Sequence, residues 1–148
     1  LGNNEKYEES EKKMSLILGK EDTERATKIR VLLVDDNKVF LRAATDFLQR
    51  QCGIDVVGTV CDYQQAITYA QNLEPHAILV GLDEIGLEMI IRLRKLLPSV
   101  GIVALTLAEG DAYRQAVIDA GADTLVCKTE LITDLLPTIR RVARLGLF

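Results

Sequence analysis

The chain has no tryptophan, and Phe, Trp and Tyr together make up only 5% of its 148 residues. Side chains on which exposed bases stack are therefore scarce. Positive charge is not in excess either. Lys and Arg number 18 against 22 Asp and Glu, a formal charge of −4, and a phosphate backbone repels such a surface. Direct nucleic-acid binding by this chain is not expected. Histidine occurs once, as His76, and Cys52, Cys61 and Cys127 are widely spaced with no CxxC pair. That set suits neither a zinc site nor a disulfide framework, so buried reduced thiols are expected. No apolar run reaches the roughly 18 to 20 residues that span a bilayer, and no apolar secretory core stands near the start. A cytoplasmic protein without membrane contact is the expectation.

What is abundant is aliphatic: hydrophobic residues make up 48% of the chain, which suits a core of Val, Ile, Leu and Ala. The length fits about one domain, which at this size buries roughly 70% of its unfolded surface. Residues 1–29 read as a charged extension, wholly polar over residues 8–13. Residues 3–18 also fit a helical arm, with Tyr7, Met14, Ile17 and Leu18 near one side and Gly19 placed as a C-cap. Such an arm would pack its end, residues 14–18, on this domain or on a second copy. Residues 21–28 read as a charged linker.

From Arg30 onward, short apolar runs alternate with amphipathic segments. Strands are predicted over residues 31–34, 54–61, 77–80, 102–105 and 124–127, the first marked as buried by its unbroken apolar run. Helices are predicted over residues 39–51, 63–73, 87–97, 111–120 and 134–144. The first would turn Phe40, Ala43, Ala44, Phe47 and Leu48 inward, and the second Ala66, Ile67 and Ala70. Asn37 and Asp62 are placed as N-caps, Gly53 and Gly121 lie just past helix ends, and Pro98 closes the third helix. Pro137 is expected in the first turn of the last helix, where a missing N–H costs nothing. Five strand–helix pairs with short connections demand parallel strands and right-handed crossovers, hence a doubly wound α/β domain over residues 30–148. Chemistry in such sheets collects at the carboxyl ends of the strands. The residues delivered there are Asp35, Asp36, Gly81, Thr106 and Lys128.

The segments VLLVDDN, GIDVVGTV, GLEMIIRLRKLLPSVGIVALT, AGADTLVCK and DLLPTIRRVA carry a family likeness. Over about residues 30–145 the chain resembles the CheY-like receiver domain of two-component response regulators, most of all the branch in which a helix-turn-helix effector follows. The resemblance implies a five-stranded flavodoxin-like fold, a signalling role rather than an enzyme's, and protein partners: a sensor kinase, another regulator or a second subunit in a homodimer. It assigns Asp35 and Asp36 to a divalent-metal site, Thr106 to sensing a phosphoryl group and Lys128 to pairing with it. Clustered carboxylates suit magnesium, and Lys128 and Thr106 would offset charge on the transferred group.

The departures fall on one pocket. PHAILVGL superposes on the family's PDxxLLDL pattern so that Gly81 takes the place of the phosphorylated aspartate. About three residues of the following turn are missing, Leu107 stands where a small residue usually leaves room, and Leu125 replaces an aromatic switch residue. These changes predict a degenerate receiver that signals through protein contacts, with no cofactor or only weakly bound Mg2+, and a Lys128 bridge to one aspartate in place of the metal. Two rivals stand beside it. Asp83 shares the side of Gly81 by strand parity and is the candidate substitute acceptor, although displaced roughly 6 to 7 Å at about 3.3 Å per residue. The other rival is a flavodoxin-like cofactor-binding protein or enzyme, against which stand the missing GxGxxG and P-loop after the first strand.

Overall fold

The computed structural model describes residues 28–82, 84–107 and 111–147. Five strands and five helices alternate: β1 Ile29–Val34, α1 Lys38–Gln49, β2 Ile54–Val60, α2 Tyr63–Leu73, β3 Ala77–Gly81, α3 Glu84–Leu96, β4 Gly101–Thr106, α4 Asp111–Ala120, β5 Thr124–Cys127 and α5 Leu131–Leu147, with a 3-10 turn, Lys128–Glu130, before α5. The strands form one parallel sheet in the order β2-β1-β3-β4-β5. This is the doubly wound flavodoxin-like order, in which the direction of winding reverses between β1 and β3.

Strand parity divides the core. Leu32, Val34, Ile78, Val80, Ile102 and Ala104 pack with Ala66, Ala70, Ile90, Leu93 and Val117 from α2, α3 and α4. Val31, Leu33, Ala77, Leu79, Val103 and Leu105 pack on the other face with Leu41, Ala44, Leu48, Leu135 and Ile139 from α1 and α5. Both faces of β1, β3 and β4 are thus covered, which explains their unbroken apolar sequences. In α1 the inward positions include Leu41, whereas Ala43 is exposed. No described helix is long and apolar enough to cross a membrane.

Local signals hold where a side chain meets the backbone. The Phe40 amide donates to Asn37 Oδ1 at 3.0 Å and the Gln64 amide to Asp62 Oδ1 at 3.0 Å, so both residues cap their helices. Three further expectations are corrected. Helix α3 begins at Glu84, three residues before the predicted start, because only two residues separate it from Gly81. Helix α5 begins at Leu131, so Pro137 sits in its seventh position, inside the helix rather than in its first turn. It lies on the exposed side, where the Thr133 carbonyl left without a donor can turn to water. The cysteines are not buried as a set: Cys52 and Cys61 are exposed and Cys127 is half-buried, all as free thiols. Cys52 falls in the turn after α1, and Cys61 follows the last residue of the edge strand β2.

Candidate functional site

Three of the residues singled out from the sequence meet at the carboxyl edge between β1 and β3. Val34 is the register partner of Val80, which places Asp35 beside Gly81. Both continue the parity of the α1–α5 face. Lys128 follows the last residue of β5 and reaches across the ends of β4 and β3 to Asp35, its Nζ 2.6 Å from Asp35 Oδ2. Its ammonium also lies 4.2 Å from the centroid of the Phe40 ring in α1, a cation–π distance. Asp35 is 1% exposed. Its Oδ1 accepts from the Asn37 amide at 2.9 Å, while Oδ2 has the Lys128 ammonium as ion partner and no neutral donor. A buried carboxylate is tolerated only with such partners.

Gly81 is what allows this arrangement. A Cβ built on it would stand 2.1 Å from Asp35 Oδ2 and 2.7 Å from Asp35 Cγ, distances no non-bonded pair adopts. The Asp35 carboxylate thus occupies the space into which a side chain at position 81 would project. The main chain of Gly81 is held as well. Tyr63, 5% exposed at the start of α2, donates its hydroxyl to the Gly81 carbonyl at 2.8 Å, and the Leu82 amide donates to the Leu105 carbonyl at 2.7 Å, extending the β3–β4 pairing. Tyr63 was not singled out from the sequence. Its partner is a backbone carbonyl 18 residues away, which no local pattern announces, and the only available signal was an aromatic next to the N-cap Asp62.

The other predicted residues are placed differently. Thr106 ends β4, buried, one residue beyond Leu105, the register partner of Gly81. Asp36 is exposed at the same edge. Leu107 is 73% exposed, whereas Leu125 is buried among the core residues facing α2, α3 and α4. Asp83 lies outside the described residues.

A divalent cation, implied by the resemblance, can be tested against these donors. Both Asp35 oxygens are engaged, the Gly81 carbonyl is held by Tyr63, and an ammonium stands where a cation would have to approach. Among the described residues no three His, Cys, Asp or Glu side chains gather to hold a metal. Magnesium needs about six oxygen ligands and close to octahedral geometry. The residues present, as arranged, do not fit it.

The profile of the response regulator receiver domain matches residues 31–140, and the chain belongs to that family. The response regulator protein VraR of Staphylococcus aureus is 32% identical over 121 residues, 78% of this chain and 57% of its own length. The chain therefore spans little more than half of that curated relative. Among solved structures, the response regulator domain of Thermotoga maritima CheB superposes with a TM-score of 0.72 at 25% identity, covering 78% of this chain and 96% of that one. The isolated receiver domain of RcsB from Salmonella enterica serovar Typhimurium, in its apo form, gives 0.72 at 25% identity over 78% of this chain and 88% of that one. The function these likenesses establish is that of a two-component response regulator receiver domain.

Proposed function

We propose that this receiver takes no phosphoryl group and signals through protein contacts. The reading rests on one observation above the others: the Asp35 carboxylate fills the space beside Gly81 that an acceptor side chain would need, a Cβ there coming within 2.1 Å of Asp35 Oδ2. Glycine offers no nucleophile, and Lys128, the residue that would pair with a phosphoryl group, already holds a carboxylate at 2.6 Å. An arriving phosphoryl oxygen would have to displace that charge-assisted contact before it gained anything. Asp35 and Asp36 then serve as structural carboxylates rather than metal ligands. Thr106 and Lys128 are remnants of a phosphoryl pocket.

A protein of this kind is a binding module rather than an enzyme. Its partner is a protein, either another regulator or a second copy of the chain, met across the domain surface. The conformation that meets the partner is set by the internal ion pair, so it does not depend on a phosphoryl donor. Beryllofluoride with magnesium tests this. Amide NMR spectra and sedimentation of the protein should be unchanged by the mimic. Shifts that gather at Asp35, Gly81, Thr106 and Lys128, or a change in oligomeric state, would overturn the reading.

A further inference from the structure

Helix α3 packs against α2 on one side and α4 on the other, and turns one stripe to solvent. Ile85, Glu88, Arg92 and Leu96 recur at intervals of three and four residues, so they share a side of the helix. Met89, Ile90 and Leu93 are buried on the opposite side. Ile85 is 57% and Leu96 48% exposed, and Glu88, Arg92 and the neighbouring Lys95 are exposed between them. Along the helix the stripe therefore reads aliphatic, acidic, basic, aliphatic. At its carboxyl end Leu96 is one wall of a cleft of about 370 Å³, with Ala70, Pro75, Leu97, Pro98 and Val100 as further apolar walls. Arg94 belongs to the rim of that cleft rather than to the stripe, since it donates to the carbonyls of Leu97, Pro98 and Val100.

We infer that this stripe joins two copies of the chain, α3 packing antiparallel on α3 of the second copy about a two-fold axis. The stripe is its own complement when turned end for end. With Ile85 set against Leu96 of the second copy, the axis passes midway along the helix, between residues 90 and 91. At a rise of about 1.5 Å per residue, Glu88 then stands about 1.5 Å along the axis from Arg92 of the second copy and about 3 Å from its Lys95. Both copies make these pairings, so the acid–base match occurs twice. A parallel arrangement would set Glu88 on Glu88 and Arg92 on Arg92, and like charges facing across a contact repel. The same register brings Ile85 to the cleft beside Leu96 of the second copy, an aliphatic side chain against aliphatic walls. A contact of this isologous kind closes on two copies. It involves neither Asp35 nor Lys128. The inference supplies a partner for signalling through protein contacts, and it rests on that reading for its role but not for the contact itself.

Sedimentation of the full chain tests the inference with no phosphoryl donor or mimic present, so this contact and the phosphorylation-independent reading can fail separately. The parent should pass from monomer to dimer over roughly 10 to 500 μM, as suits a contact of one helix face. Glu88→Arg and Arg92→Glu, each at an exposed position, should each weaken association about tenfold or more by setting like charges together. Their circular dichroism spectra should match the parent's. An equal mixture of the two variants should form a heterodimer at least as tight as the parent dimer, because arginine then meets glutamate at both pairings. Three results would each overturn the inference: a parent that stays monomeric over that range, a dimer indifferent to both charge reversals, or a mixture that does not recover association. The second would place the dimer contact on another face.

Discussion

Replacing Gly81 by alanine adds one methyl group at the one place where the site has no room for it. The new Cβ would meet Asp35 Oδ2 at 2.1 Å and Cγ at 2.7 Å, but Asp35 Cβ only at 3.3 Å. The obstruction is therefore the carboxylate itself, and relief requires it to rotate away. Rotation gives up the 2.6 Å contact with Lys128 and the 2.9 Å bond from the Asn37 amide. A charge-assisted hydrogen bond of this kind contributes roughly 1.5 to 3 kcal/mol. Lys128 keeps 15% side-chain exposure against 1% for Asp35, so the lysine can turn to water and the loss falls mainly on the carboxylate. The backbone of Gly81 adds nothing to the penalty, since the positive-φ glycines among the described residues are Gly53 and Gly121. Gly81→Ala should then cost about 2 to 3 kcal/mol, a shift of about 1 M in the urea midpoint at a typical slope. In an Asp35→Ala background the same substitution should cost less than about 0.5 kcal/mol, because only the 3.3 Å contact remains. The double-mutant cycle, read by urea unfolding, should return a coupling of about 2 kcal/mol. Equal costs in the two backgrounds would refute the claim that Asp35 fills the place of a side chain at 81.

Three further outcomes are expected. Tyr63→Phe leaves the buried Gly81 carbonyl without its hydroxyl donor and should cost about 1 to 3 kcal/mol in urea unfolding; a loss below about 0.5 kcal/mol would mean the hydroxyl is dispensable. Arg94→Ala removes the donors that join Gly121, Leu97, Pro98 and Val100 and the 2.9 Å ion pair with Asp123. It should lower stability by about 2 kcal/mol, mostly through lost backbone partners because the ion pair itself is partly exposed. His76 is held below its ordinary pKa of 6.5, first by burial and then by the Arg30 charge. The native state therefore binds its proton less readily than the unfolded chain does, so stability falls as pH drops through 6.5 and levels off below the native value. His76→Asn should flatten unfolding free energy measured between pH 7.5 and 5.5 relative to the parent, and an unchanged slope would show that His76 is not the group responsible.

The parts of the fold legible in the sequence are those where one residue type has one physical meaning. Unbroken runs such as Val31-Leu32-Leu33-Val34 announce strands buried on both faces, and Asn37 and Asp62 announce helix starts because their side chains satisfy amides nearby. Helix starts that depend on the length of the preceding loop were less legible. The pattern of apolar residues places the start of α3 at residue 87, yet the helix begins at Glu84 and buries Gly86 in its first turn. The early start of α5 likewise moved Pro137 into a helix interior. Cysteine was misleading in a similar way, since average burial says nothing about a residue that closes an edge strand, as Cys61 does.

For the site, the sequence delivered Asp35, Gly81 and Lys128 to one edge and raised a Lys128–aspartate bridge. It did not distinguish Asp35 from Asp36 as the partner. Strand parity separates them, since Asp35 continues the parity of Val31 and Leu33 and turns inward while Asp36 faces solvent. Nor did it disclose that the Asp35 carboxylate takes up the space beside Gly81. That fact depends on two strands brought side by side, and no pattern within either one encodes it.

The most direct measurement for the central claim is the intact mass of the full chain after incubation with a small-molecule phosphoryl donor and magnesium, read without acid quench delay so that a labile acyl phosphate survives. A functional receiver treated in parallel supplies the positive control. No phosphoryl adduct should form on this chain. A phosphorylated species on the parent chain, at Asp83 or at any other carboxylate, would contradict the account.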